Sequence, residues 1–130
     1  MVSVEIPNSV LSIGEGAFYN NSKLQSLTFQ NSLCTIAKSA FSSCDALQSV
    51  EFGNAIESID TLAFSGCPIR LLEFPNSLVH LGDGAFSYND ELRKITIPAS
   101  LTSIDGNVFP FCNYLEEIIV DANNPKYDSR

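Results

Sequence analysis

The amino-acid sequence predicts an α/β solenoid, with a parallel β-sheet along one side and short helical or 3₁₀ turns along the other. One observation is a repeated Ala-Phe pair whose phenylalanines are separated by 23, 23, 22 and 23 residues, with Val108-Phe109 as the last copy. The other is an L-x-x-L-x-L pattern that opens the units. Such periods are typical of repeats that bury their cores only against their neighbours. We therefore predict one domain, residues 1–130, with units starting near residues 1, 24, 47, 69, 92 and 115, the last one incomplete.

Each unit opens with a predicted strand. Its last two apolar positions alternate with polar ones, which is the period-two pattern of a half-buried strand. Stacked about 4.8 Å apart, six such strands predict a parallel sheet. The three apolar positions are Leu24, Leu27 and Phe29 in the second unit, and the equivalents are Leu47, Val50 and Phe52; Ile69, Leu72 and Phe74; Leu92, Ile95 and Ile97; and Leu115, Ile118 and Val120.

After the strand, each unit is predicted to turn, to run back along the other side of the solenoid and to end in a second turn. Pro, Asn and Ser are common after the strands; Pro cannot extend a ladder, and Asn and Ser bond to nearby backbone. An apolar pair, such as Leu33 and Ile36, then points inward from the returning side. The Ala-Phe pair follows as a short helical or 3₁₀ turn. Its phenylalanines are expected to stack as an internal ladder, and they are Phe18, Phe41, Phe64, Phe86 and Phe109.

Composition and charge exclude several classes of partner. Seven Lys and Arg against fifteen Asp and Glu give a formal charge of −8, which disfavours nucleic acid and anionic lipid surfaces. No apolar run approaches the roughly 18 residues of a membrane span, so we expect no membrane insertion. The opening residues, MVSVEIPNSV, lack the basic and apolar regions of a secretory signal.

Three cysteines occupy one repeat position. Asn21 and Asn89 hold the same position in other units, whereas the cysteines there are Cys44, Cys67 and Cys112. Exchange of Cys with Asn indicates a structural slot in which a small side chain is buried or bonds the backbone. A disulfide between Cys44 and Cys67 is the less favoured alternative, and zinc is not expected. Cys34 lies out of register and is predicted to be an exposed or partly covered thiol.

No constellation in the sequence indicates catalysis, a metal or a cofactor. His80 shares its repeat position with Ser12, Thr35, Ser58 and Ser103, which favours a polar surface column. Asp83 is near it only in sequence, so no triad can be built. The pairs Asp90-Glu91 and Glu116-Glu117 are interpreted as solvated edges, and Gly82-Asp83-Gly84 lacks the remaining features of a phosphate loop. We therefore predict no enzyme and no cofactor.

The outward face of the predicted sheet is the candidate binding surface, because strands expose alternate residues whose identity the core does not fix. Arg70, Leu71 and Arg93 form its predicted centre, since an apolar residue flanked by guanidinium groups is typical of interface hot spots. A merely solvated face is the alternative. A second candidate is a convex cluster of Tyr88, Phe111 and Tyr114. The predicted binding residues are Gln25, Thr28, Gln48, Glu51, Arg70, Leu71, Glu73, Arg93, Lys94 and Thr96.

The unit from Leu92 to Cys112, LRKITIPASLTSIDGNVFPFC, resembles the pattern L-x-x-I-x-I-P-x-S-V-x-x-I-G-x-x-A-F-x-x-C of the BspA-like leucine-rich repeats. The class is named after a bacterial surface protein, and the match recurs in five units. Asp60 and Asp105 replace the Gly of the pattern. The resemblance implies a leucine-rich-repeat right-handed superhelix with its sheet on the concave side. It also implies a cell-surface or secreted location, since members are often surface or secreted proteins of bacteria and protozoan parasites.

The resemblance and the exposed sheet face together predict a non-catalytic module that binds a protein or a glycan. Adhesion or recognition of a host protein through the concave sheet is the role that the family implies. The alternative is a structural spacer within a longer array that has no ligand of its own. Open edge strands also predict end-to-end self-association of solenoids.

Overall fold

The computed structural model describes residues 2–127, which form a parallel β-solenoid. Most repeats have two strands, one in the opening L-x-x-L-x-L segment, which we call the long strand, and a two-residue strand on the returning side. The strands are β1 (Val2–Ile6), β2 (Leu24–Phe29), β3 (Thr35–Ile36), β4 (Ser49–Glu51), β5 (Ser58–Ile59), β6 (Leu72–Glu73), β7 (His80–Leu81), β8 (Lys94–Ile97), β9 (Ser103–Ile104) and β10 (Glu117–Val120).

Apart from β4 and β6, strands at equivalent positions of adjacent repeats pair in parallel. Leu27 of β2 lies between Val4 of β1 and Val50 of β4. Ile95 of β8 lies in the same way between Leu72 of β6 and Ile118 of β10. Equivalent repeat positions therefore lie side by side in columns, as the alternating apolar pattern predicts.

The long strands pair in parallel, as predicted, but their sheet is interrupted between β4 and β6. β1, β2 and β4 form one sheet, β6, β8 and β10 form another, and only a bridge between Ser49 and Leu71 joins them. The unit between them is one residue shorter than the others.

The strands on the returning side of the solenoid form a separate sheet, in the order β3-β5-β7-β9. Its strands have two residues each, and Ile36, Ile59 and Leu81 point inward and are fully buried. The sequence predicts the inward direction of these side chains but not the strands, because two residues are too few to show a period.

The predicted helical or 3₁₀ turns, and with them the α/β class, are wrong: residues 2–127 contain no helix. In the first unit, the amides of Gly16, Phe18 and Asn20 donate to carbonyls of the next unit at 2.8–3.1 Å. Only Ala17 and Tyr19 close bonds within their own turn. A helix needs consecutive amides to bond locally, so the ladder between repeats replaces the helix.

Stacked phenylalanines fill the core, as predicted. Phe64 lies parallel to Phe41 and Phe86, with ring centroids 5.2 and 5.3 Å apart and interplanar angles of 6°. A second column, Phe29, Phe52 and Phe74, packs edge-on against the first. Aromatic rings favour both arrangements, so neighbouring repeats are held in register by their largest side chains.

The Asn and Ser side chains of the turns bond to the neighbouring repeat, and the predicted local bonding is wrong for them. Asn8 Oδ1 accepts from the Asn31 amide at 2.7 Å, and Asn31 Oδ1 accepts from the Asn54 amide at 2.9 Å. Ser77 Oγ donates to the Ile56 carbonyl at 2.7 Å. The turns therefore stabilise the stacking of the repeats as well as the direction of the chain.

Candidate functional site

The predicted binding residues lie on the outer face of the long strands, which we call the concave face. All ten are exposed except Thr28, which is half-buried. Their buried neighbours alternate with them: Val50 between two exposed residues in β4, and Ile95 between Lys94 and Thr96 in β8. Their side chains are therefore not required to fill the core.

The interruption of the sheet creates a depression in the concave face, which we call the β4–β6 groove. Its volume is about 230 Å³, and it is lined by Gln48, Ser49, Val50, Glu51, Arg70, Leu71 and Glu73. Two further depressions, of about 430 and 280 Å³, continue it toward Phe74 and Thr96, and Glu73 lines all three. The sequence predicts that most of the lining residues lie on the exposed face of the strands. Only the shortened unit indicates where the groove lies.

The three residues of the predicted centre of the face, Arg70, Leu71 and Arg93, do not all lie together. Arg70 and Leu71 line the β4–β6 groove, and the Leu71 side chain is 65% exposed. Arg93 lies away from the groove: its guanidinium group is 5.1 Å from the ring centre of Tyr114 and 3.8 Å from Glu116. Lys94 is likewise 3.7 Å from Glu117.

The charged residues of the groove have no such partners. Within residues 2–127, the side chains of Arg70, Glu51 and Glu73 form no ion pair or side-chain hydrogen bond. The register set by the Ser49–Leu71 bridge places Glu51 opposite Glu73. Like charges on facing strand positions destabilise a sheet. The groove thus combines an exposed apolar side chain with charges that folding leaves unpaired.

A hydrogen-bonded chain of Ser, His and Asp crosses three repeats on the returning side. His80 Nδ1 lies 3.1 Å from Ser58 Oγ, and His80 Nε2 lies 2.8 Å from Asp105 Oδ2. The sequence suggests Asp83 as the neighbouring acid, but Asp83 bonds the amide of Asn107. The sequence does not indicate Asp105 as a partner of His80, because Asp105 lies one repeat and two residues after His80 and so outside the column of equivalent positions.

The backbone amides of Ser58 and His80 are not free to stabilise an oxyanion. Stabilising an oxyanion needs free N–H groups aimed at the reacting atom. The amides of Ser58 and His80 instead donate to the carbonyls of Cys34 and Glu57, at 3.2 and 3.1 Å. We therefore interpret the hydrogen-bonded side chains of Ser58, His80 and Asp105 as a structural link between three repeats, which we call the clasp.

Replacing His80 by serine should lower the free energy of unfolding by about 0.5–1.5 kcal/mol, because both hydrogen bonds of the imidazole are lost. Urea unfolding followed by circular dichroism measures the change. Ser103→Ala, at the same repeat position in the next unit, is the control and should change stability little. Equal stabilities of the two variants would show that the clasp contributes nothing.

The cysteines and Asn89 occupy the structural slot that their exchange predicts. Cys44, Cys67 and Cys112 each donate to the carbonyl of a phenylalanine in the preceding repeat, at 3.1–3.3 Å, and Asn89 does the same at 3.0 Å. All four cysteines are free thiols, and Cys34 is exposed. Contact with the Cys44 thiol and burial raise the pKa of Cys67, and burial raises the pKa of Cys112. Both thiols are therefore held in the unreactive protonated form.

Tyr88, Phe111 and Tyr114, which we call the aromatic cluster, are all more than half exposed. The rings of Tyr88 and Phe111 stack with centroids 4.7 Å apart and an interplanar angle of 11°. Tyr114 carries the Arg93 guanidinium group on its ring. The cluster therefore adjoins the concave face at Arg93.

Three further observations concern metal sites, membrane spans and the end of the solenoid at β10. In the part of the chain that the structure describes, no three or more His, Cys, Asp or Glu side chains are placed to hold a metal ion. Among the same residues, no helix combines the length and apolar character that crossing a bilayer requires. An apolar depression of about 260 Å³ lies beside β10, at Ile104, Phe109 and Ile118. The predicted end-to-end association would use the end of the solenoid at β10. That association stays a prediction.

The chain is similar to solved structures of bacterial leucine-rich repeat proteins. Three similar crystal structures are a T. pallidum leucine-rich repeat protein (25% identity, TM-score 0.86), a Eubacterium ventriosum leucine-rich repeat protein (28%, 0.86) and a Faecalibacterium prausnitzii leucine-rich cell surface protein (31%, 0.87). The matches cover 89%, 94% and 92% of this chain. The chain spans 57% of the T. pallidum protein and 32% of each of the other two.

The family comparison agrees with the structural one. No curated protein matches the chain by sequence. The family model described as a BspA type leucine-rich repeat region, with six copies, matches residues 1–68 and 35–130. These ranges cover the whole sequence, and the parallel solenoid is the fold of the similar structures. The chain therefore belongs to the BspA-type leucine-rich repeat family.

Proposed function

We propose that this chain is a non-catalytic, protein-binding segment of a cell-surface or secreted protein, and that it binds its partner through the β4–β6 groove. The observation that carries the proposal is the groove itself, where exposed Leu71 lies among Arg70, Glu51 and Glu73, which have no ion-pair partners within residues 2–127. Apolar anchors flanked by charges are typical of interface centres. A partner protein would cover Leu71 and pair these charges.

The location rests on family membership and on one neighbour. The similar F. prausnitzii protein is a cell surface protein, and this chain shares its fold over 92% of its length at 31% identity. Adhesion or recognition of a host protein is the role that we propose for such a location. A protein partner fits the groove better than a glycan does, because unpaired charges of both signs are best matched by charged side chains.

Replacing Arg70 by glutamine and Leu71 by serine together should weaken binding at least about tenfold, equivalent to about 1.4 kcal/mol. The probes are a panel of purified extracellular-matrix proteins and a glycan array, with affinities measured by surface plasmon resonance. The matched control is Leu11→Ser with Lys38→Gln. It makes the same changes in charge and apolar surface at exposed residues outside the groove.

The outcomes separate the alternatives. Binding of a panel protein that the groove variant loses and the control keeps supports the proposal. Equal binding by all three proteins would place the contact elsewhere. Binding to glycans alone would contradict a protein partner. No binding to any probe would favour the alternative role of a structural spacer.

A further inference from the structure

Two members of the aromatic cluster, Tyr88 and Phe111, occupy backbone positions that do not suit aromatic residues. Tyr88 and Phe111 have φ values of 58° and 60°, in the left-handed region. The same repeat position is held by Asn20, Ser43 and Gly66, also with positive φ. Asn and Gly adopt this conformation readily, whereas bulky side chains are strained in it. The fold therefore gives no reason for two aromatic residues at this position.

The stacking of the two rings does not bury them. Tyr88 remains 54% exposed and Phe111 remains 59% exposed, although their centroids are only 4.7 Å apart. On the other side of Tyr88, the column continues with Gly66, which has no side chain to cover the ring. Strained residues with exposed side chains are typical of functional positions.

The charges around the cluster favour a cationic partner. Asp90 and Glu91 follow Tyr88 after the buried Asn89 and are both exposed, and the whole chain carries a formal charge of −8. Aromatic faces attract cations, and guanidinium groups stack on them particularly well. The cluster already shows this chemistry, because the Arg93 guanidinium group lies 5.1 Å from the ring centre of Tyr114.

We propose that the aromatic cluster is a second binding surface, which takes an arginine side chain of a partner protein. The guanidinium plane lies on an open face of the Tyr88–Phe111 stack, and the carboxylates of Asp90 and Glu91 supply the opposing charge. This surface is separate from the β4–β6 groove, so either one can fail its test without affecting the other.

The test compares two fluorescein-labelled peptides, GRGRGRG and GKGKGKG, at about 0.15 M salt, where screening weakens general attraction to the acidic chain. Fluorescence anisotropy measures their affinities for the unmodified chain. We expect the arginine peptide to bind about two- to fivefold more tightly, because lysine carries equal charge but cannot stack as a plane.

The variant Tyr88→Asn with Phe111→Asn should abolish this preference while leaving the melting temperature unchanged or higher, since asparagine suits the left-handed conformation. Tyr19→Asn removes an exposed tyrosine elsewhere and should keep the preference. Equal affinities of the two peptides for the unmodified chain would overturn the proposal, as would a preference that survives in the double variant. Displacement of the peptide by maltohexaose, a neutral sugar, would also overturn it by indicating a glycan site.

Discussion

Replacing Phe64 by alanine should lower the free energy of unfolding by about 3–5 kcal/mol, the usual cost of truncating a buried phenylalanine. Phe64 is fully buried and stacks between Phe41 and Phe86, while Phe52 packs edge-on against it. The substitution removes all three ring contacts and leaves a cavity in the middle of the array. Because each repeat is stabilised mainly by its neighbours, both halves of the solenoid lose support.

Phe18→Ala provides the control at the end of the same column. Phe18 is only partly buried and stacks on one ring, Phe41, at 5.0 Å. Its loss should therefore cost clearly less than the loss of Phe64. Urea and thermal unfolding of both variants give the comparison. A Phe64→Ala variant as stable as Phe18→Ala would mean that the phenylalanine ladder does not hold the repeats together.

Replacing Gly82 by alanine should cost about 1–3 kcal/mol through overpacking. A Cβ atom at this position would lie 2.5 Å from the amide nitrogen of Thr61 and 2.7 Å from the carbonyl carbon of Asp60. These are backbone atoms of the adjacent repeat, so no side-chain rotation relieves the clash. The repeats would have to separate locally, which weakens the bond from the Gly82 amide to Ile59, now 2.8 Å.

Gly14 occupies the same repeat position in the first unit and is the matched control. A Cβ atom there would meet nothing within 4 Å, so Gly14→Ala should change stability by less than about 0.5 kcal/mol. Differential scanning calorimetry distinguishes the two variants. Similar melting temperatures for both would show that the close approach at Gly82 is not required.

The sequence predicts those parts of the fold that repeat within a few residues. Alternation along β2 and β8 indicates which side chains are buried, and the spacing of the phenylalanines indicates their stacking. The turns were misjudged because the amides of Phe18 and Asn20 find their partners one repeat away. Local sequence shows only that Gly and Ala-Phe bend the chain, which a helical turn explains equally well.

At the candidate site, too, the sequence does not show contacts that side chains make with a neighbouring repeat. Exposure of Leu71 and Glu73 follows from alternation about buried Leu72, whereas Arg70 precedes the alternating stretch and is exposed as well. The pairing of Arg93 with Glu116 and Tyr114 depends on how long side chains cross between repeats, which a column pattern does not show. The His80–Asp105 contact could have been found by searching positions offset by one repeat and two residues. The groove lies where the unit is one residue short and the pairing of β4 with β6 is reduced to one bridge, which the pattern within a single strand does not show.

The most direct test of the account is a footprint of the bound partner on the concave face. Hydrogen exchange of the unmodified chain would be measured with and without the extracellular-matrix protein that binds it most tightly. We predict slower exchange confined to Ser49–Glu51 and to residues 70–73, the two sides of the β4–β6 groove. Protection that falls instead on the returning strands, such as β5 and β7, with the groove unchanged, would contradict the claim that this groove is the binding site.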